Sequence, residues 1–261
     1  MWRLVSLLLI LAGCPKNSGS KSGGSNADEG AYSGGFVAID LSEDEDDDDS
    51  LFGSELMIAT AECGDLIQLE PAAMMGKLSD GEIRCLDRKL RETDRMTFKD
   101  KLSRVLMADA WAKGDEHRWE GIARRHLEEV DRSDPDLTYK FALLLSKGSA
   151  EKMDEAMKWA DVSLENRSMW TGDLHVKRVY SLYKLKALSA HKKWTYLEGE
   201  LVDAEVDEAE LISNQVDEAR NLTKTLSREW LEYTRSAGRD TTVALQLCVS
   251  AAGNAEFCAD G

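Results

Sequence analysis

Two stretches of this sequence repeat each other at an interval of 34 residues. They read Ala108-Asp109-Ala110-Trp111-Ala112-Lys113-Gly114 and Ala142-Leu143-Leu144-Leu145-Ser146-Lys147-Gly148. At the same offset Arg118 matches Lys152, and Val130 matches Leu164. Good helix formers dominate around both stretches, and a glycine after a helical segment is typical of a helix end. The pattern predicts two helical hairpins, with helices over residues 99–113, 116–130, 137–147 and 152–164.

A helix–turn–helix unit with this period resembles the tetratricopeptide repeat. Ala108, Ala142 and Ala156 match its small residues, Trp111 and Leu145 match a large residue, and Pro135 stands near a repeat boundary. The resemblance covers about residues 99–195. Three features depart from it: Ile122 replaces a small residue, His126 replaces an aromatic one, and the turn after Gly148 is longer. The resemblance implies an all-α solenoid of helical hairpins whose continuous surface binds other proteins.

The repeat region is expected to be flanked by further helices. Residues 53–98 predict a small helical unit, in which Ser79 and Glu82 have the spacing of a capping box. Another helical pair is expected over residues 173–191 and from near Trp194. Residues 196–236 then predict one long amphipathic helix, since apolar residues recur mostly three and four positions apart: Leu197, Leu201, Ala204, Ile212, Val216, Ala219, Leu222, Leu226, Trp230 and Tyr233. This helix is expected to cap the repeats, with a coiled-coil dimer seam as the alternative.

The first 14 residues have the layout of a secretory signal. Arg3 is a short basic region, residues 4–11 are apolar, and small residues precede Cys14. Leu11-Ala12-Gly13-Cys14 resembles the lipobox of bacterial lipoproteins. The resemblance implies that residues 1–13 are removed and that Cys14 is acylated. Two or three acyl chains would hold the protein at a membrane, because one chain alone binds only reversibly. The alternative is an ordinary signal with a chance cysteine.

Residues 14–52 predict a flexible tether. Its first part is rich in Ser, Gly, Asn and Lys, and residues 43–49 are seven consecutive acidic residues. The acidic run is interpreted as a solvating spacer, with Ca²⁺ or a basic partner as alternatives. An apolar island from Phe36 to Leu41 includes Ile39. This island is a candidate binding segment for a partner, or a segment that lies on the protein's own domain.

Four cysteines remain besides Cys14, namely Cys63, Cys85, Cys248 and Cys258. An even number in an exported chain indicates two disulfides. Proximity favours Cys63–Cys85 and Cys248–Cys258, which would pin the tail within residues 196–261. The other pairings and free thiols remain alternatives. A zinc site is not expected, because the sequence has no CxxC pair.

The charge and the motifs argue against nucleic-acid binding and against catalysis. The chain has 49 Asp and Glu against 33 Lys and Arg, a formal charge of −16, and such a surface repels phosphate backbones. No GxSxG, Walker, GxGxxG or HExxH motif occurs, so neither an enzyme nor a cofactor is expected. Tryptophans at core spacing are expected to be buried, and Trp170, in a turn, is predicted to be the one exposed at a binding surface.

These observations predict a lipid-anchored lipoprotein of the bacterial cell envelope that acts as a scaffold for protein–protein interaction. Its expected partners are the membrane, through the lipid on Cys14, and unidentified envelope proteins. Pro15 follows Cys14 without an acidic retention-type residue, which favours the outer membrane. The alternatives are a periplasmic module that binds a peptide or glycan in a deep pocket, and an envelope hydrolase.

Overall fold

The computed structural model describes residues 60–259. About 82% of these residues are helical and none lies in a β-strand, which confirms the all-α class. The α-helices are α1 (Leu66–Met74), α2 (Asp80–Glu92), α3 (Met96–Ala112), α4 (Glu116–Glu129), α5 (Pro135–Ser146), α6 (Met153–Glu165), α7 (Gly172–Asp203), α8 (Val206–Ser236), α9 (Thr242–Ala252) and α10 (Glu256–Ala259). The signal at 1–13, Cys14, Phe36, Ile39 and the tether at 14–52 lie outside the described residues.

Local sequence signals set several helix ends. The predicted capping box is present: Glu82 N donates to Ser79 Oγ, and Ser79 N donates to Glu82 Oε2 at 2.7 Å. Gly114 ends α3 in the left-handed region, with φ of 68°, which glycine adopts without steric cost. Gly148, its partner in the repeat, is followed by a 3₁₀ turn over Ala150–Lys152. The turn is therefore longer than the one after α3, as the sequence predicts.

Most helices pack against the next helix in the chain. From α3 to α8 every helix contacts the next, α5 also contacts α7, α1 and α2 cover α3, and α9 packs on α8. Large side chains fill the contacts between the helices, and the fully buried ones include Leu86, Leu102, Phe141, Met153, Leu182 and Trp230. Burial of this apolar surface, at about 25 cal/mol per Å², is the main stabilising contribution.

The predicted boundary at residue 195 and the single helix over residues 196–236 are wrong. Helix α7 continues without a break to Asp203, and α8 begins at Val206 after two extended residues, Ala204 and Glu205. The reversal brings Leu197 of α7 and Val216 of α8 together around Trp194 and Ala219. The apolar stripe is thus divided between two helices and packs within the chain, where a single straight helix would have left its first part without a partner.

Both favoured cysteine pairs lie at disulfide distance. Cys63 and Cys85 join the segment before α1 to α2, and Cys248 and Cys258 join α9 to α10. The second pair belongs to the core that also contains Trp230 and Leu231, so the tail returns to the domain as expected. Among residues 60–259 no helix has the length and apolarity that would be needed to cross a membrane.

Candidate interaction surface

An open groove runs between α6 and α8. It has a volume of about 690 Å³, and its apolar floor is formed by Met157, Leu222 and Leu226. Arg132, Lys158 and Glu165 are among the charged residues of its rim. We call this surface the α6–α8 groove. A groove with an apolar floor and a rim of both charge signs has the chemistry of a peptide-binding surface.

A second cavity, of about 400 Å³, continues the α6–α8 groove along α8. Leu222 lines both cavities, and Ala190, Leu197 and Gln215 line the second. An ion pair links the linings of the two parts: Asp154 lines the first, Lys193 lines the second, and Lys193 Nζ lies 2.7 Å from Asp154 Oδ2. From Leu226 to Gln215 the joined cavities extend about 17 Å along the helix axis, at 1.5 Å per residue.

Trp170 is not an exposed binding residue, contrary to the prediction. Only 5% of it is exposed, because it packs against α5. Its Nε1 donates to Asp136 Oδ1 at 2.9 Å, and its ring meets the Tyr139 ring edge-on, with centroids 5.9 Å apart. Arg178, itself buried, pairs with Asp136 and lies over both rings. The short connection after α6 therefore contributes a core residue, Trp170.

Trp111 is the tryptophan that is exposed among those in residues 60–259. Trp119, Trp159, Trp194 and Trp230 are buried as expected, whereas 42% of Trp111 is exposed. It lies in the last turn of α3 and meets Trp119 edge-on, with ring centroids 5.6 Å apart. Its position at the end of a helix, beside Gly114, leaves one side of the indole without a covering helix.

A serine, a histidine and an aspartate meet between α3 and α4. Ser103 Oγ lies 2.7 Å from His126 Nδ1, and His126 Nε2 lies 3.7 Å from Asp100 Oδ1. Ser103 and His126 are 2% and 1% exposed, and neither lines the cavities described above. No substrate can reach Ser103 in this arrangement. Burial, and next the positive charge of Arg104, lower the pKa of His126. We interpret the contact as a structural hydrogen bond.

One face of α7 carries a row of exposed side chains. They lie three, four or seven residues apart and are Lys177, Lys184, Leu188, Lys192, Thr195, Gly199 and Val202. We call this face the α7 stripe. Lys192 Nζ donates to the carbonyl oxygen of Gly148. Among the ion pairs within the described residues, those that lysines of α7 form use Lys186 and Lys193 and none of the three lysines of the stripe.

Beyond the α7 stripe's lysines, the two long helices form an acidic arm. We define the arm as residues 196–218, which include the end of α7 and the start of α8. It contains no Lys or Arg but nine acidic residues: Glu198, Glu200, Asp203, Glu205, Asp207, Glu208, Glu210, Asp217 and Glu218. No residue of the arm is buried, and Val202 and Val206 are 83% and 90% exposed. The negative charge of Glu200 raises the pKa of the nearby Tyr196 hydroxyl.

Among residues 60–259, one group of three side chains has the spacing of possible metal ligands. Potential ligand atoms of Glu62, Cys63 and Cys85 lie within 4.8 Å of one another, but the two sulfurs are joined in a disulfide. A disulfide offers no thiolate for a metal ion.

Sequence reasoning missed the α6–α8 groove and the α7 stripe. The groove joins residues from three helices, so no local pattern reports it. The stripe had a local signal, since basic residues end at Lys193 and acidic residues begin at Glu198. Comparison of the chain with protein-family models, curated proteins and solved structures finds no match.

Proposed function

We propose that this protein is a cell-envelope lipoprotein, anchored through acyl chains on Cys14, that acts as a scaffold for protein–protein interaction. Its helical hairpins over residues 99–195 would form a solenoid similar to tetratricopeptide repeats. The observation that carries the proposal is the α6–α8 groove. This groove is open, has an apolar floor and a charged rim, and is long enough for a short helix of a partner.

The form of the groove favours a peptide over a small ligand. Small-molecule sites enclose most of the ligand's surface, whereas the α6–α8 groove is open to solvent along its length. Leu222 is 38% exposed, in the middle of the two cavities, and offers an apolar contact without any rearrangement. The occupant that fits is an amphipathic helix of about three turns, with apolar residues every three or four positions.

The cysteine pairs support an exported protein. Disulfides form and persist in oxidising compartments, and both pairs close short loops of the fold. A protein that reaches such a compartment with an acylated Cys14 would meet envelope proteins at a membrane surface, where anchoring raises its effective concentration.

Binding of amphipathic helices tests the role of the groove. A displayed library of such helices is selected on the full chain, and affinities are then measured for wild type and for Leu222→Glu. We expect a loss of at least about tenfold, since a carboxylate would enter the apolar floor. Leu211→Glu is the matched control, because Leu211 is an exposed leucine of α8 outside the groove. Equal effects of the two substitutions, or none, would overturn the proposal.

The anchor is tested separately. Intact mass and membrane fractionation are compared for wild type and Cys14→Ala in a bacterial host. We expect acyl mass and membrane association for wild type alone. If both proteins are soluble and cleaved in the same way, the lipoprotein part of the proposal is wrong, whatever the helix library shows.

A further inference from the structure

The two disulfides of the fold have different surroundings. Cys248 and Cys258 are 0% and 1% exposed, and they belong to the core that contains Trp230. Cys63 is 7% exposed, whereas Cys85 of α2 is half-buried and so presents part of its surface to solvent. Exchange between a thiol and a disulfide requires that a thiolate reaches one of the two sulfurs. Of the four cysteines, Cys85 is therefore the one that a thiolate can approach most readily.

A guanidinium group lies beside the more exposed cysteine. Arg88 follows Cys85 by three residues on α2, and its Nη2 donates to Cys85 Sγ at 3.7 Å. A positive charge next to a sulfur stabilises the thiolate form and lowers the pKa of a thiol. At the buried pair the neighbouring arginine, Arg235, donates instead to the carbonyl oxygen of Cys258, at 2.9 Å. Of the two pairs, only Cys63–Cys85 thus combines partial access with a cation at a sulfur.

The charges nearest to these two sulfurs leave a positive balance. Glu62 has a carboxylate oxygen within 4.8 Å of both sulfurs. The same carboxylate pairs with Arg88 at 2.8 Å and with Lys89 at 2.9 Å, and Lys89 and then Arg88 lower its pKa. Glu62 is therefore ionised at neutral pH, but the two cations together offset its charge. Glu92 is more distant, with its Oε1 3.9 Å from Arg88 Nε. An approaching thiolate is thus attracted while Arg88 is in place.

We propose that Cys63–Cys85 is a site of thiol–disulfide exchange whose substrate is a dithiol, such as a pair of reduced cysteines on another protein. The inference uses no residue of the α6–α8 groove and does not require the lipid on Cys14, so it is independent of the proposed function. Its basis is the unequal access to the two pairs and the contact of Arg88 with Cys85.

The exchange takes place in two steps. First, one thiolate of the dithiol attacks Cys85 Sγ, the bond to Cys63 breaks, and Cys63 leaves as a thiolate that takes up a proton from solvent. Second, the other thiolate of the dithiol attacks its own partner sulfur, closes a disulfide in the dithiol, and releases the Cys85 thiolate. Arg88 attracts the thiolate in the first step and stabilises the leaving thiolate in the second. Two electrons and two protons pass from the dithiol to the two cysteines.

Reduction opens a link at the edge of the fold. Helix α1 begins at Leu66, after its N-cap Asp65, and the buried Leu66 and Leu69 hold it in the fold, where it packs against α3. The disulfide joins the segment before α1 to α2, so its reduction separates these two parts and removes no helix from the core. Reduction of the buried pair, in contrast, requires that its core opens. The folded chain can therefore exist in an oxidised and a reduced form that differ at this link.

The rates of reduction test the access to the two pairs. The oxidised full chain is treated with dithiothreitol at about pH 7 under native conditions, and samples are quenched by alkylation. Peptide mapping by mass spectrometry then measures each pair separately and keeps Cys14 apart from both. We expect Cys63–Cys85 to be reduced at least about tenfold faster than Cys248–Cys258. Equal rates, or faster reduction of the buried pair, would overturn the proposal.

Arg88→Gln tests the contribution of the guanidinium. We expect it to slow the reduction of Cys63–Cys85 at least about threefold and to leave the buried pair unchanged. The matched control is Arg84→Gln, since Arg84 is an exposed arginine of α2 next to Cys85 in the sequence. Its charge is screened by solvent, so its removal should alter the rate less than about 1.5-fold. Circular dichroism confirms that each variant is folded. If both variants slow the reduction equally, or neither slows it, Arg88 does not act on the sulfur.

The pH dependence of alkylation separates this role from a structural one. In Cys63→Ala the thiol of Cys85 is free, and its reaction with iodoacetamide is followed between about pH 5 and about pH 10. We expect the half-maximal rate at a pH below that of an ordinary cysteine, which is about 8.5. Adding Arg88→Gln should raise this pH by at least about half a unit. A half-maximal rate at the ordinary pH in both proteins would show that the guanidinium does not favour the thiolate.

Discussion

The guanidinium carbon of Arg178 lies 5.1 Å from the centre of the Trp170 ring, and both side chains bind the same carboxylate. Trp170 Nε1 donates to Asp136 Oδ1 at 2.9 Å, and Arg178 pairs with the same oxygen. Tyr139 of α5 completes the cluster, which joins the start of α7 to α5. Burial and the positive charge of Arg178 lower the pKa of the neighbouring Lys140, while Asp136 acts in the opposite direction.

Trp170→Ala is expected to destabilise the fold by about 3 kcal/mol. The substitution leaves a cavity and removes the indole donor from Asp136. The free energy of unfolding is measured by urea denaturation. Met169→Ala is the control, because the neighbouring Met169 is 72% exposed and its truncation should change stability by less than about 0.5 kcal/mol. A loss of stability as small as that of the control would show that the cluster contributes little.

Asp109→Ala is expected to cost about 3 kcal/mol. Asp109 is fully buried, accepts from Leu78 N at 3.2 Å, and pairs with Arg118 and with Lys113 at 2.9 Å. Its removal leaves Arg118 and the Leu78 N–H without their acceptor. The matched control is Glu116→Gln, which breaks an exposed 3.5 Å pair with Lys147 and should cost less than about 1 kcal/mol. Similar losses for the two variants would contradict this account.

Acidification below about pH 6.5 is expected to weaken the fold through His126. Burial and Arg104 lower its pKa from the ordinary 6.5, against the opposing effect of Asp100, Asp134 and Asp131. The unfolded chain therefore binds a proton at a pH where the native chain does not, and stability falls as pH falls through this range. Arg124 lowers the pKa of Glu155 below the ordinary 4.5. The stability that this ion pair provides is therefore lost only at a lower pH, as Glu155 becomes protonated.

The measurement is thermal unfolding at about pH 7.5 and about pH 5.5. We expect the Tm of wild type to drop between the two, and the drop to be smaller in His126→Gln. His117→Gln serves as the control, since His117 is exposed on the same helix and should leave the drop unchanged. An equal drop in all three proteins would assign the pH dependence to other groups.

Removal of either disulfide is expected to cost about 3 kcal/mol, slightly more for Cys63–Cys85. Cys63 and Cys85 are 22 residues apart in the sequence, and Cys248 and Cys258 are 10 residues apart. The disulfide that closes the longer loop lowers the conformational entropy of the unfolded chain more. Denaturant unfolding is compared for the Cys63→Ala/Cys85→Ala and Cys248→Ala/Cys258→Ala variants. Peptide mapping of the oxidised chain checks the pairing, and a peptide that links Cys63 to Cys248 would contradict it.

Local signals in the sequence determined the helical class, the capping box at Ser79, the end of α3 at Gly114 and the favoured cysteine pairs. Each depends on neighbours in the chain: helix propensity, the spacing of a cap, or the closure of a short loop. The change of charge sign between Lys193 and Glu198 was also present in the sequence. Only the structure shows that both residues lie on one continuous helix.

Tertiary structure alone decided the break before Val206, the burial of Trp170 and the groove around Leu222. The apolar spacing of residues 196–236 suits one helix as well as two, and only the packing of Leu197 and Val216 against Trp194 and Ala219 favours the reversal. Trp170 is buried because α5 supplies Asp136 and Tyr139, which are more than 30 residues away. Such contacts follow from the packing of whole helices, and no local pattern of side chains specifies them.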